Sequence, residues 1–236
     1  MRTGPSVLDD ATSGQPSAAA DDGPRAPTAR LSAARRPPTY AANVITPDAD
    51  VPPAFVQALQ ALGGRRLRAE VRLSEIPAPA RIAPYAVALS AEVATDDDEL
   101  VTETEAASGR FVLLHDPAGQ EAWEGTFRVV TLIRAALDPE VGADPLLCEA
   151  AWSWVEDALD QAGAGHHALG GTVTRVVSQS FGVLAERPGE VEVEIRASWT
   201  PDGDVGDHLA AWSAVLCTAA GLPPLPDGVA SLTPRR

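Results

Sequence analysis

Glu190-Val-Glu-Val-Glu-Ile-Arg-Ala-Ser-Trp199 decides the fold. Val191, Val193, Ile195, Ala197 and Trp199 alternate with Glu190, Glu192, Glu194, Arg196 and Ser198. That period of two sends successive side chains of a strand to opposite faces. One face is apolar and the other wet, as in an antiparallel sheet covered on one side only. Arg187-Pro188-Gly189-Glu190, just before the strand, carries a type II turn signal and predicts a hairpin. Beyond the strand, Asp207 is expected to cap a final helix. Leu209–Leu222 holds no charge, whereas a surface helix ordinarily has a polar face. Leu209, Trp212, Leu216 and Ala219 or Ala220 should face the sheet. The opposite side, with Ala210, Ala214 and Cys217, should be covered by a neighbouring helix ahead of a second copy of the chain.

Upstream the same arrangement recurs. Phe111-Val-Leu-Leu-His-Asp-Pro-Ala-Gly119 is echoed by Phe181-Gly-Val-Leu-Ala-Glu-Arg-Pro-Gly189, and Ala150-Ala-Trp-Ser153 by Ala210-Ala-Trp-Ser213. Asp116-Pro117-Ala118-Gly119 is placed as the turn between a third and a fourth strand. Asp144-Pro145 should then start a central helix, with Cys148, Ala151, Trp152, Val155, Leu159 and Ala162 inward and Gly163 at its end. Nearer the start, Pro52-Pro53 opens a helix with Phe55, Val56, Leu59 and Leu62 at helical spacing. Leu67–Leu73 and Tyr85–Val93 alternate as strands around a proline-rich break at Ile76–Pro79. Residues 95–109, with Asp96-Asp97-Asp98-Glu99 near the start, read as a polar connection and a solvated turn rather than a calcium loop. The predicted class is α+β: an antiparallel sheet of about six strands, with two or three helices on one face, built from two successive hairpin-plus-helix units.

Composition bounds the chain further. All Phe and Trp lie between Phe55 and Trp212, and the first fifty residues carry six Asp and five Arg. Residues 1–50 are expected to form a disordered tail, 51–222 a single domain and 223–236 a flexible end. The net charge of −15 disfavours a phosphate backbone, so no nucleic acid is expected. No run approaches the ~20 apolar residues of a membrane-spanning helix, so no membrane association is expected and the expected location is cytoplasmic. All 18 basic residues are arginine. Walker-type phosphate loops and Schiff-base chemistry, which need lysine, are excluded. Cys148 and Cys217 read as reduced core residues.

No catalytic motif or metal set emerges, and no cofactor is expected. His166-His167 lacks the spacing that metal ligands take on a regular element. Ser178-Gln-Ser-Phe-Gly182 lacks the leading glycine and following helix of a nucleophile elbow. The candidates that remain are His115 and Asp116 at the first hairpin, and Arg68, Arg72, Arg128 and Arg196 on the sheet's wet face. Interleaved glutamates there make cross-strand ion pairs the plainer expectation, and a polar groove for a small anionic ligand or peptide the functional one. Trp154, off the buried stripe of its helix, is a candidate contact for a protein partner.

Arg68–Pro84, Leu113–Trp123, Trp152-Ser-Trp154, Gly170–Arg175 and His208–Trp212 together resemble a bacterial family known only as a numbered domain of unknown function, the three-thousandth in its series. The resemblance spans about residues 52–224 and implies a cytoplasmic bacterial protein without supplying an activity. The functional expectation is a non-catalytic binding or adaptor protein, with a monomer ahead of a homodimer. The alternative is a small-molecule enzyme using His115, Asp116 and a sheet arginine for acid–base chemistry and anion binding.

Overall fold

A computed structural model describes residues 51–94 and 105–223, all within one compact unit, Pro38–Arg236. The expected tail over 1–50, the C-terminal end beyond Pro223 and the acidic run at 96–99 lie outside the described residues. In chain order the elements are α1 (Pro53–Gly64), β1 (Val71–Ile76), β2 (Tyr85–Ala94), β3 (Glu105–Gln120) and β4 (Gly125–Leu137). They continue as α2 (Pro139–Gly142), α3 (Leu147–Gln161), β5 (His166–Ser178), β6 (Glu190–Pro201) and α4 (Val205–Ala219). The strands form one six-stranded sheet in the order β1-β2-β3-β4-β6-β5, and every neighbouring pair is antiparallel. The α+β class is as the alternation predicts. β3-β4-α3 and β5-β6-α4 are two hairpin-plus-helix units in succession, preceded by α1, β1 and β2.

The alternation of β6 sets the layering. Val193, Ile195 and Trp199 point to the helices and are buried with Phe111 and Leu113 of β3, Val129 and Ile133 of β4, and Leu209, Trp212 and Leu216 of α4. Burying a large apolar side chain contributes about 1.5–3 kcal/mol, so this sheet–helix layer carries the fold. α4 packs against α1 and α3 and runs over β2, β3 and β4. Gly109 permits this approach, because a Cβ there would lie 2.8 Å from Trp212 and 2.8 Å from the Leu132 carbonyl. The charge-free run of α4 from Leu209 onward thus reflects its position between two helices. Its outermost residue, Ala214, is exposed, so the expectation of a fully covered outer side fails there.

Several boundaries differ from expectation for local reasons. The chain does not reverse at Asp116–Gly119. After the His115–Phe127 pair the register shifts, and pairing resumes at Gln120–Gly125. The reversal is a single 3-10 turn, Glu121–Trp123, closed by Glu124 at φ 56°. Trp123 is buried, and its burial draws the turn beyond the Pro-Gly signal. β3 begins at Glu105, inside the stretch expected to be a polar connection, and β1 begins only at Val71. Asp138-Pro139 starts the one-turn α2, and Asp144 accepts a hydrogen bond from the Leu146 amide at 2.8 Å just before α3. The cap of α4 is Asp204, which accepts from the Gly206 amide at 2.8 Å, not Asp207. Asp207 instead meets Arg65 at 2.6 Å, joining the end of α1 to the start of α4. The echo between Phe111 and Phe181 is not structural. Phe111 is fully buried in β3, whereas Phe181 is exposed in the β5–β6 connection.

Candidate functional site

The uncovered face of the sheet can be read row by row from the strand register. Ser90, Arg110, Leu132, Arg196 and Thr172 stand side by side across β2, β3, β4, β6 and β5. The next row is Ala88, Val112, Val130, Ser198 and Gly170. These two rows hold a groove of about 560 Å³ lined by Arg110, Val112, Val130, Leu132, Thr172 and Ser198, with Arg196 and Gly170 among its other walls. Adjacent strands lie about 4.8 Å apart, so the backbones of Arg110 and Arg196 flank Leu132 at about 10 Å from each other.

The groove is bounded by rows whose charges are already engaged. On one side Arg134 meets Glu194 at 2.7 Å, and Glu194 also holds Arg196 at 2.7 Å. The first is a cross-strand ion pair of the kind expected on the wet face, and the second lies within β6. Arg196 keeps a largely exposed guanidinium despite that contact, with 63% of its side chain accessible. Arg110 is exposed and has no hydrogen bond or ion pair among the described residues. On the other side Arg128 closes the end of the groove. It donates to the Ala168 carbonyl at 3.0 Å, to Thr200 Oγ1 at 3.1 Å, and to Ser198 Oγ at 2.8 Å. Burial lowers its pKa. These bonds fasten β4 to β6 and to the bulge between His167 and Gly170, where Ala168 has φ 50°.

The glycines shape the β5 side. A Cβ at Gly171 would run into the Arg196 carbonyl and lie 2.7 Å from the Trp152 ring. β5 therefore sits tightly between β6 and α3, while Gly170 leaves the rim of the groove without a side chain.

Of the residues singled out from sequence, Arg196 lines the groove, Arg128 ends it, and Arg72 stands at the β1 end of the Glu92–Ser108–Arg134–Glu194 row. Arg68 lies elsewhere, before β1, where it donates to Glu70 at 2.9 Å and to the Pro223 carbonyl at 2.8 Å. The bond between them raises the pKa of Arg68 and lowers that of Glu70. Trp154 is half-buried against the core.

His115 is on the helix side of the sheet, 3% exposed. Its ring stacks on Phe127 at 4.1 Å, with Phe55 at 5.9 Å and Tyr85 at 6.0 Å. Nδ1–H donates to the Thr126 carbonyl at 3.0 Å, and Nε2 is buried without a partner. Asp116 follows it on the other side of the strand and accepts from the Ala118 amide at 3.0 Å and from Gln120 Nε2 at 3.1 Å. His115, Asp116 and the groove arginines are thus not brought together. His166 and His167 also diverge. The first meets the Ala164 carbonyl at 2.9 Å and the second Asp202 Oδ2 at 3.1 Å. Among the described residues no three His, Cys, Asp or Glu side chains converge as metal ligands.

Arg110 is the residue that sequence reading missed. The alternation of β3 extends back through Phe111 to Gly109, with Ser108, Arg110 and Val112 outward, but a connection ending at residue 109 leaves Arg110 at the very start of the strand, without the preceding positions that mark its outward face.

A family model described as protein of unknown function (DUF3000) matches residues 51–230. The chain belongs to this family. No curated protein and no solved structure matches it. The DUF3000 segment contains every helix and strand described above, and with them the whole groove. No described helix is long and apolar enough to cross a membrane.

Proposed function

We propose that this DUF3000 protein is a non-catalytic binding protein. Its open sheet face takes a small ligand with an anionic head and an apolar body. The observation that carries this reading is the single cross-strand row in which Arg110 and Arg196 flank Leu132, beside Val112 and Val130 of the next row. In a chain of net charge −15, an arginine without a carboxylate partner in a groove is a local reversal of sign. Guanidinium groups bind carboxylates and phosphates through paired, charge-assisted hydrogen bonds. Thr172 and Ser198 add hydroxyls to the two arginines among the described residues that line the groove.

Titration with the fluorescent anion anilinonaphthalene sulfonate tests it. Arg110→Met with Arg196→Met keeps the side-chain volume and removes both charges. The double variant should lose affinity about tenfold or more, equivalent to about 1.4 kcal/mol. Equal affinity for wild type and variant, or equal binding of an uncharged analogue by wild type, would remove the groove from consideration.

A further inference from the structure

We infer that the free edge of β5 pairs with the same edge of a second copy, joining two sheets about a twofold axis. This goes beyond the ligand reading and stands independently of it. The sheet has two edges, and they are unlike. β1 spans only Val71–Ile76 and runs into a proline-rich connection, a short and blunted edge of the usual kind. β5 spans His166–Ser178 and pairs with β6 alone. From Gly171 to Ser178 its register is regular, so its outer backbone groups form a straight, unpaired ladder. The residues there are β-branched in the main, contain no proline, and include one charge. That charge, Arg175, turns inward to donate to the Gly142 and Asp144 carbonyls at 3.1 Å each. No proline and no bulge interrupts this stretch, and its one charge, the only guarding device here, is held by the α2–α3 junction instead of standing free along the edge.

The surroundings of the edge are apolar. Among the described residues, seven of the nine large hydrophobic side chains that are exposed lie in this corner: Val141, Leu146, Val176, Val177, Phe181, Val183 and Leu184. Val177 is 64% exposed, Phe181 73% and Val183 fully. The bonds of Arg175 place the α2–α3 junction, with Val141 and Leu146, beside the strand. Single exposed apolar residues are ordinary on a protein surface, but these seven, on both faces of β5 and in the segments beside it, gather exposed apolar area at one edge of the sheet.

A second copy fits this edge on two grounds. An antiparallel edge is its own complement, so a twofold axis through residues 171–178 satisfies both ladders at once. The same axis sets the apolar end of one β5 beside Gly170-Gly171 of the other, where no side chain obstructs it. Charge agrees as well. Residues 161–185 contain no acid, so two strongly acidic copies meet here without carboxylates facing each other.

The test is the mass of the full chain in solution by light scattering, alongside the Val177→Lys/Phe181→Lys double variant. Wild type should run at about twice 24.5 kDa, and the variant at the single mass with an unchanged circular dichroism spectrum. Amide hydrogen exchange supplies a readout that needs no substitution: residues 172–178 should gain protection as wild-type concentration rises. A wild-type chain that stays at the single mass overturns the proposal. So does a dimer that survives the double substitution with its fold intact, or one in which residues 172–178 exchange as fast as in dilute protein. If the variant loses its fold, the exchange measurement decides.

Discussion

Two buried histidines show how far one side chain's surroundings determine its role. His115 has a stacked ring, a bonded Nδ1 and an unpartnered Nε2. His208 is fully buried with both nitrogens engaged. Its Nδ1 accepts from Trp199 Nε1 at 3.0 Å, and its Nε2 donates to the Asp202 carbonyl at 3.3 Å. This pattern requires the neutral ring, since protonation of Nδ1 would break the bond to Trp199. Burial lowers the His208 pKa, and nearby His166 adds to that, while the Asp202 carbonyl bond and the Asp207 and Asp202 charges oppose it. In the unfolded chain the ring titrates near its ordinary value of about 6.5. Below that point the unfolded chain gains a proton that the folded chain refuses. The stabilising contribution is therefore complete above about pH 6.5 and is lost as pH falls through the folded value. His167 has the opposite sign, its pKa raised by the hydrogen bond to Asp202. Its contribution is present below about pH 6.5 and lost as pH rises through the folded value, but the pair is solvent-open and screened by salt. Melting curves across about pH 5–8 should thus show wild type weakening on the acid side. His208→Gln should be less stable throughout, by about 1–3 kcal/mol, yet flatter with acid. Identical acid slopes for the two proteins would show that another group controls this limb.

At the scale of elements, what was legible in the sequence follows from which signals are local. The period-two pattern of β6 and the charge-free run of α4 from Leu209 onward could be read because each buries a continuous face, and a buried face must be apolar along its length. The turn at Asp116–Gly119 was misplaced because its local chemistry is real: Asp116 does bond the Ala118 amide. The reversal itself answers to the burial of Trp123, a tertiary demand that leaves no turn residue to find. Arg110 was missed for a related reason, since strand β3 starts in a polar stretch whose pairing comes from β2 and β4 rather than from propensity. The site is less legible than the fold, because the Arg110–Leu132–Arg196 row exists only once three strands are in register. Helix α4 offers a direct check on its own placement. Its flanks are filled by α1 and α3, and Ala214 alone is exposed at its centre. Ala214→Arg should therefore fold normally, change stability by no more than about 0.5 kcal/mol, and leave the oligomeric mass as it is in wild type. A lost fold would place that position inside the core, and an altered mass would place an interface on α4 instead of on β5.

For the molecule as a whole, the question is where the cooperative unit begins. Among the described residues the hydrophobic core draws on residues from Val51 to Leu222, and the family match covers 51–230. Val51 packs against the core, so a cut should fall before it. The first fifty residues bring no Phe or Trp, and their six Asp and five Arg nearly cancel, so removing them takes away no large apolar ring of those two types and hardly changes the net charge. A chain of residues 51–230 should then melt within about 2 °C of the full chain, since a change of 1 kcal/mol in a domain of this size moves the midpoint by about 2–4 °C. It should also keep the solution mass that the β5 edge gives the full chain, scaled for its length. A fall of several degrees in calorimetry would mean that residues before Val51 contribute apolar contacts to the folded unit. A loss of the pair without a loss of stability would assign the association to those residues and not to the strand edge.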